Sequence, residues 1–252
     1  MSELNKNIQA AASLIRKANH LTAFTGAGIS VESGIPPFRG EGGLWDKYDP
    51  MMLDIGYFME HPEESWRVIK EIFYDTFSEA KPNKAHNVLA AMEKAGMLKE
   101  IITQNIDNLH QEAGNNIVHE FHGNSRMLVC TKTRQLIEAR YADLDAIPPM
   151  HPATGGLLKP DFIFFGEGIP PEAYRASLAA ARHSDVFLII GTTGEIMPAS
   201  QMPLVAKENG ASIIEVNTSP SNYTARITDI FLEGKATEVM GMLAEASKIP
   251  TA

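Results

Sequence analysis

Apolar positions follow a helical period first and a strand period next. Ile8, Ala11, Ala12, Ile15 and Ala18 recur at the spacing of one helix face. The apolar run at 21–24 reads as a short buried strand that feeds the turn Gly26-Ala27-Gly28. Pro36, Pro37, Gly40, Gly42 and Gly43 make the next stretch a loop. Pro62-Glu63-Glu64 places a proline and two carboxylates where the first turn of a helix favours them. A second helix is predicted over 84–94, stopped near Gly96, followed by a strand at 100–103.

The later chain repeats the theme of a strand ending in a small polar residue. Residues 186–190 run into Gly191, and 212–216 run into Asn217. Helical stretches at 171–182, 199–209 and 236–248 supply crossovers, so the pattern predicts a doubly wound α/β fold. Ligands in such folds sit at the carboxyl ends of the strands. Residues 125–157, with Pro148, Pro149, Pro152 and Gly155-Gly156, read as an inserted module. No internal repeat or low-complexity tract is present.

Composition narrows the function classes. The 252 residues are 44% hydrophobic and 21% charged, enough to form a core without a disulfide or a metal. The formal charge of -9 has the wrong sign for adhesion to phosphate backbones or anionic lipid, so neither nucleic acid nor membrane is expected as a partner. The first 17 residues carry charges among short apolar runs, and a cytoplasmic location is expected. A single cysteine, Cys130, excludes an intramolecular disulfide framework.

Four segments carry candidate chemistry. Gly26-Ala27-Gly28 fills two positions of a dinucleotide turn, but Val31 stands at the third, so a phosphate-binding turn and an ordinary tight turn both fit. In the loop after it, Arg39 could fork onto phosphate and Phe38 could cover a ring; a plain surface loop fits equally. The stretch from Thr103 to His110 sets amides and a carboxylate after a predicted strand, as ligand groups, as a helix cap, or as both. His122, between Phe121 and Gly123, is a candidate general base toward a hydroxyl.

Taken in order, Gly26-Ala27-Gly28-Ile29-Ser30, Ser33-Gly34-Ile35-Pro36 with Phe38-Arg39-Gly40, Thr103-Gln104-Asn105-Ile106-Asp107, His122-Gly123, Phe165-Gly166-Glu167 and Pro198-Ala199 resemble the sirtuins, NAD-dependent protein-lysine deacylases. The resemblance implies a Rossmann-like large part at about 1–38, 82–124 and 158–252, with a small domain from insertions at about 39–81 and 125–157. It implies NAD as a consumed co-substrate and acylated lysine-containing proteins or peptides as partners. By similarity His122 is the base and Asn105 orders the site. Ile106 and Asp107 form a nicotinamide pocket, and Gln104 holds ribose. Gly26, Ala27, Gly28, Phe38, Arg39, Thr192, Thr193 and Asn217 bind the remainder of the dinucleotide. Ile163, Phe165, Gly166 and Glu167 match a strip that pairs with an extended peptide. The implied chemistry is attack of the acyl oxygen on the ribose carbon, loss of nicotinamide, and formation of O-acyl-ADP-ribose.

The sequence departs from that pattern in several places. The four positions of the family's zinc module read Cys130, Thr133, His151 and Thr154, so no zinc is expected. Pro37 replaces an aspartate before Phe38, and Gly194-Glu195 replaces a more aliphatic pair. Ile69 and Ile72 stand where relatives selective for acidic acyl groups carry Tyr and Arg, which favours acetyl or longer uncharged acyl groups. Two other functions are compatible with the same motifs: mono-ADP-ribosyl transfer, and non-catalytic binding of NAD or ADP-ribose.

Overall fold

The computed structural model describes residues 2–38 and 42–249. Its strands, in chain order, are β1 Leu21–Thr25, β2 Leu98–Thr103, β3 Val118–Glu120, β4 Gly123–Cys130, β5 Leu136–Glu138, β6 Leu158–Phe162, β7 Val186–Ile190, β8 Ser212–Asn217 and β9 Ile230–Glu233. Six of them form a parallel sheet in the order β3-β2-β1-β7-β8-β9. The direction of winding reverses between β1 and β7. That switch point opens a crevice at the carboxyl ends of the two strands. Every residue of β1 and β7 is buried, as expected for central strands covered on both faces.

The helices are α1 Glu3–Lys17, α2 Leu44–Lys47, α3 Ile55–Glu60, α4 Pro62–Ile69, α5 Lys84–Lys94, α6 Leu109–Ala113, α7 Pro171–His183, α8 Met202–Glu208 and α9 Ala236–Ser247. One face of the sheet carries α1, α5 and α9, whose Ile15, Val88, Leu89 and Leu243 pack on Leu188 and Ile214. On the other face, α7 and α8 bring Ala180, Ala181 and Met202 against Phe24, Phe187 and Ile189. The predicted helix at 199–209 begins as one tighter turn at Ala199–Gln201 before α8. Among the described residues, no helix is long and apolar enough to cross a membrane.

A second, antiparallel sheet has the order β5-β4-β6 and shares a core with α3, α4 and the widened helical turn Lys70–Thr76. Trp66, Phe58, Phe162 and Phe164 dominate this core, and Trp66 Nε1 donates to the Leu158 carbonyl at 2.8 Å. β6 belongs to this sheet, whereas the sequence reading places residue 158 onward in the large part. Its register with β4, Leu128↔Pro160 to Cys130↔Leu158, accounts for the difference. As an edge strand, β6 also tolerates Pro160.

Candidate active site

The turns after β1 and β7 are pressed together at the switch point. Gly28 N–H donates to Gly191 O at 2.9 Å, and a Cβ added to Gly28 would lie 2.6 Å from Gly191 Cα. Glycine is therefore required there by the approach of two backbones. Gly26 is held in the same way against Gly191 and Thr192, and Ala27 opens a single helical turn that stays partly accessible.

Below this turn lies a small cavity lined in part by Ala27, Ser30, Ile35, Phe38, Asn105, Ile106 and Asp107. Its polar wall is a wired chain of donors. The Asn83 amide donates to His86 Nδ1 at 3.3 Å, so the hydrogen of the neutral ring sits on Nε2, which faces Ser30 Oγ at 3.4 Å. Ser30 Oγ in turn donates to Asp107 Oδ2 at 2.7 Å, and Leu109 N–H donates to Asp107 Oδ1 at 3.0 Å. Burial raises the Asp107 carboxyl above its usual range, against these donors. Asn105 is fixed by bonds from Nδ2 to Gly26 O at 3.1 Å and Ser30 Oγ at 3.2 Å. Burial lowers His86 to about 4, which keeps it neutral.

His122 stands at the turn between β3 and β4. Its Nδ1 lies 3.0 Å from the carbonyl oxygen of Gln104. A carbonyl only accepts, so Nδ1 carries the hydrogen and Nε2 is left with a lone pair. Burial lowers the His122 pKa, outweighing the bond to Gln104, so the ring is neutral at pH 7. This is the state a general base needs.

Gln104 links the two sides of the crevice: its Nε2 donates to Thr192 Oγ1 at 3.1 Å. Asn217 Nδ2 donates to Thr192 O at 2.8 Å, and Thr193 O accepts the Asn222 amide at 3.0 Å. Thus Gln104, Thr192, Thr193 and Asn217, drawn from three strand ends, line one edge of the parallel sheet. Phe38 belongs to the cavity below, and a row of rings leads away from it: Phe38 to Trp45 at 5.6 Å and Trp45 to Phe165 at 6.1 Å between centroids. Arg39 lies outside the described residues.

The strip at 163–167 is joined directly to the histidine, since Ile163 N–H donates to His122 O at 2.9 Å. Phe165 is held on its other side by Leu53 O and Ile55 N, at 2.8 and 3.0 Å. Among the described residues the Ile163 carbonyl and the Gly166 amide bond to no other group. Glu167 turns its carboxylate inward, to the Phe164 amide and to Lys159. Ile69 and Ile72 are fully buried in the core of the small sheet.

The zinc-module positions have other partners. Cys130 is buried, with Sγ 3.4 Å from Thr154 Oγ1; bonds from Thr133 and Thr154 pull its thiol down to about 7. His151 Nδ1 accepts the amides of Ala153 and Thr154, at 3.2 and 3.3 Å. Among the described residues no group of three or more His, Cys, Asp or Glu side chains is placed to hold a metal. One thiol, one imidazole with an occupied Nδ1 and two hydroxyls do not fit a closed tetrahedral zinc site.

Sequence reasoning nominated neither Ser30 nor His86 as a site residue. Ser30 falls inside the Gly26-Ala27-Gly28-Ile29-Ser30 motif. His86 lies in the predicted helix at 84–94, where nothing local marks it for a site, and only the tertiary fold brings it to Ser30.

Comparisons with known proteins identify the family. The model of the Sir2 family matches residues 26–198. The NAD-dependent protein deacylase 2 of Pyrobaculum aerophilum is 42% identical over 241 residues, covering 94% of each chain. The NAD-dependent protein deacylase of Thermococcus kodakarensis is 42% identical over 249 residues, 94% of this chain and 95% of that one. Among solved structures, a Sir2 homologue bound to NAD is similar with a TM-score of 0.88 and 37% identity, covering 95% of this chain and 94% of the other. A complex of Sir2 with a p53 peptide and NAD+ reaches a TM-score of 0.89 at 30% identity, covering 96% and 99%. With the switch-point crevice, the neutral histidine and these matches in agreement, the chain belongs to the Sir2 family.

Proposed function

We propose that this chain is an NAD-dependent protein-lysine deacylase that transfers the acyl group to ADP-ribose and releases nicotinamide. The observation that carries this reading is His122: Gln104 O fixes its tautomer, and burial keeps it neutral. The Nε2 lone pair can take a proton from a ribose hydroxyl. NAD, consumed in the reaction, supplies a ribose carbon whose leaving group is nicotinamide.

The buried Ser30, Asn105 and Asp107 chain and the adjoining backbone turn fit such a ligand, because they present oriented polar groups beside a small cavity. In this reading Asn105 orders the site beside His122, Ile106 and Asp107 form the nicotinamide pocket, and Gln104 holds ribose. Gly26, Ala27, Gly28, Phe38, Arg39, Thr192, Thr193 and Asn217 take the rest of the dinucleotide. Ile163, Phe165, Gly166 and Glu167 are the peptide strip, supported by the unused Ile163 carbonyl and Gly166 amide.

Acetyl and other uncharged acyl groups are the proposed substrates, supported by Ile69 and Ile72 in place of a tyrosine and an arginine. The small sheet is proposed to hold its turn at 151–156 without zinc, through the His151 and Thr154 bonds. The protein is proposed to reside in the cytoplasm and to bind neither nucleic acid nor membrane, in keeping with its single cysteine and net charge. Mass spectrometry of a peptide panel bearing different acyl groups, with and without NAD, tests the reading. Acetyl and uncharged acyl groups should be removed only when NAD is present, and NAD-independent removal or none would refute it.

A further inference from the structure

The segment proposed to receive the peptide is anchored from beneath by a buried lysine. Lys159, on β6, is 4% exposed. Its Nζ donates to Pro160 O at 2.9 Å and Phe162 O at 2.7 Å, and pairs with Glu167 Oε2 at 2.8 Å. The same Glu167 oxygen accepts the Phe164 amide at 2.8 Å, and the ammonium stands 4.0 Å from the centre of the Phe164 ring. Three acceptors saturate the three protons of an ammonium, and the ring face adds a further favourable contact. A buried charge persists only where it is paired in this way.

The consequence is geometric. Lys159 ties the start of the segment, at Phe162 O, to its end, at Glu167, and Glu167 ties back to Phe164 N. The chain between them must reverse, and Gly166 does so with φ of 88°. The Ile163 carbonyl and Gly166 amide lie inside that closed loop of bonds.

We propose that Lys159 is a positioning residue for the acyl-peptide: with the half-buried Glu167 as its counter-ion, it holds 162–167 in the one shape that presents Ile163 O and Gly166 N to an extended chain. The inference rests on the peptide-strip reading above. Lys159 bonds to Pro160, Phe162 and Glu167, none of them assigned to NAD, so its loss should act on the peptide and leave the nucleotide side alone.

The test compares Lys159→Met and Lys159→Arg with the natural protein, in the full chain. Lys159→Met should raise the peptide KM about tenfold, the scale expected for displaced substrate-positioning groups, with ADP-ribose affinity by calorimetry unchanged. Amide hydrogen exchange at Phe164 and Glu167 should speed up by a similar factor, and Lys159→Arg should restore both readings. If Lys159→Met does not fold, Lys159→Gln, which loses the ion pair with Glu167 but keeps an amide donor, is read in the same way. Unchanged exchange and peptide KM, or a parallel loss of ADP-ribose affinity, would overturn the inference. If the natural protein shows no NAD-dependent deacylation, the functional reading fails, and the exchange measurement still decides whether Lys159 shapes the segment.

Discussion

The Nδ1–H of His122 donates to the carbonyl of Gln104 at 3.0 Å, so one backbone oxygen sets which nitrogen of the ring is basic. Gln104 also reaches Thr192 through its side chain, so one residue connects the histidine to the far side of the crevice. Activity should depend on pH through this ring. Burial places its pKa below 6.5, so the basic form is present above that value and is lost as pH falls through the lowered one. The acid limb of kcat/KM against pH should have its midpoint below 6.5 and vanish with the residual activity of His122→Ala. A midpoint above 6.5 would contradict the assignment.

His86 gives a second pH dependence, of stability. Its folded value of about 4 lies below the ordinary 6.5, so the unfolded chain takes the proton first as the medium is acidified. The stability at stake is complete above pH 6.5 and is lost progressively toward about pH 4, amounting to about 3 kcal/mol from this ring. His110, buried beside it and lowered in the same direction, adds to the slope. Urea unfolding at pH 7 and pH 5 should show the loss, and His86→Leu should flatten the difference.

Gly28→Ala should be among the most damaging small substitutions in the crevice. The added carbon would meet Gly191 Cα at 2.6 Å, backbone against backbone, so β1 and β7 would have to separate at their carboxyl ends. A loss of about 1–3 kcal/mol in stability is expected, with a larger loss in ADP-ribose affinity by calorimetry. Gly168→Ala, with open space around it, serves as the control and should change neither.

Much of this was legible in the sequence, for a physical reason. β1, β7 and β8 are buried on both faces and read as apolar runs, and α1, α5, α7 and α9 carry clean helical periods. β3, β4, β5, β6 and β9 escaped prediction. Four of them lie at sheet edges, and β6 contains Lys159-Pro160-Asp161, which no local pattern marks as a strand. The site divided in the same way. Asn105 stands out after a predicted strand and His122 between Phe121 and Gly123, whereas His86 and Lys159 act through partners 56 and 8 residues away that only the fold brings together.

The knuckle around Cys130 yields a metal prediction. Elemental analysis of the purified protein should find zinc well below one per chain, and a chelator should leave the melting temperature unchanged. Stoichiometric zinc would contradict the zinc-free proposal.

The most direct test of the central claim is the stoichiometry of products from NAD and an acetyl-lysine peptide. Nicotinamide, deacetylated peptide and O-acetyl-ADP-ribose should appear in equal amounts with the natural protein, and O-acetyl-ADP-ribose should not form with folded His122→Ala. ADP-ribose left on protein without need of an acyl group, or a folded protein that binds NAD and releases no nicotinamide, would contradict it.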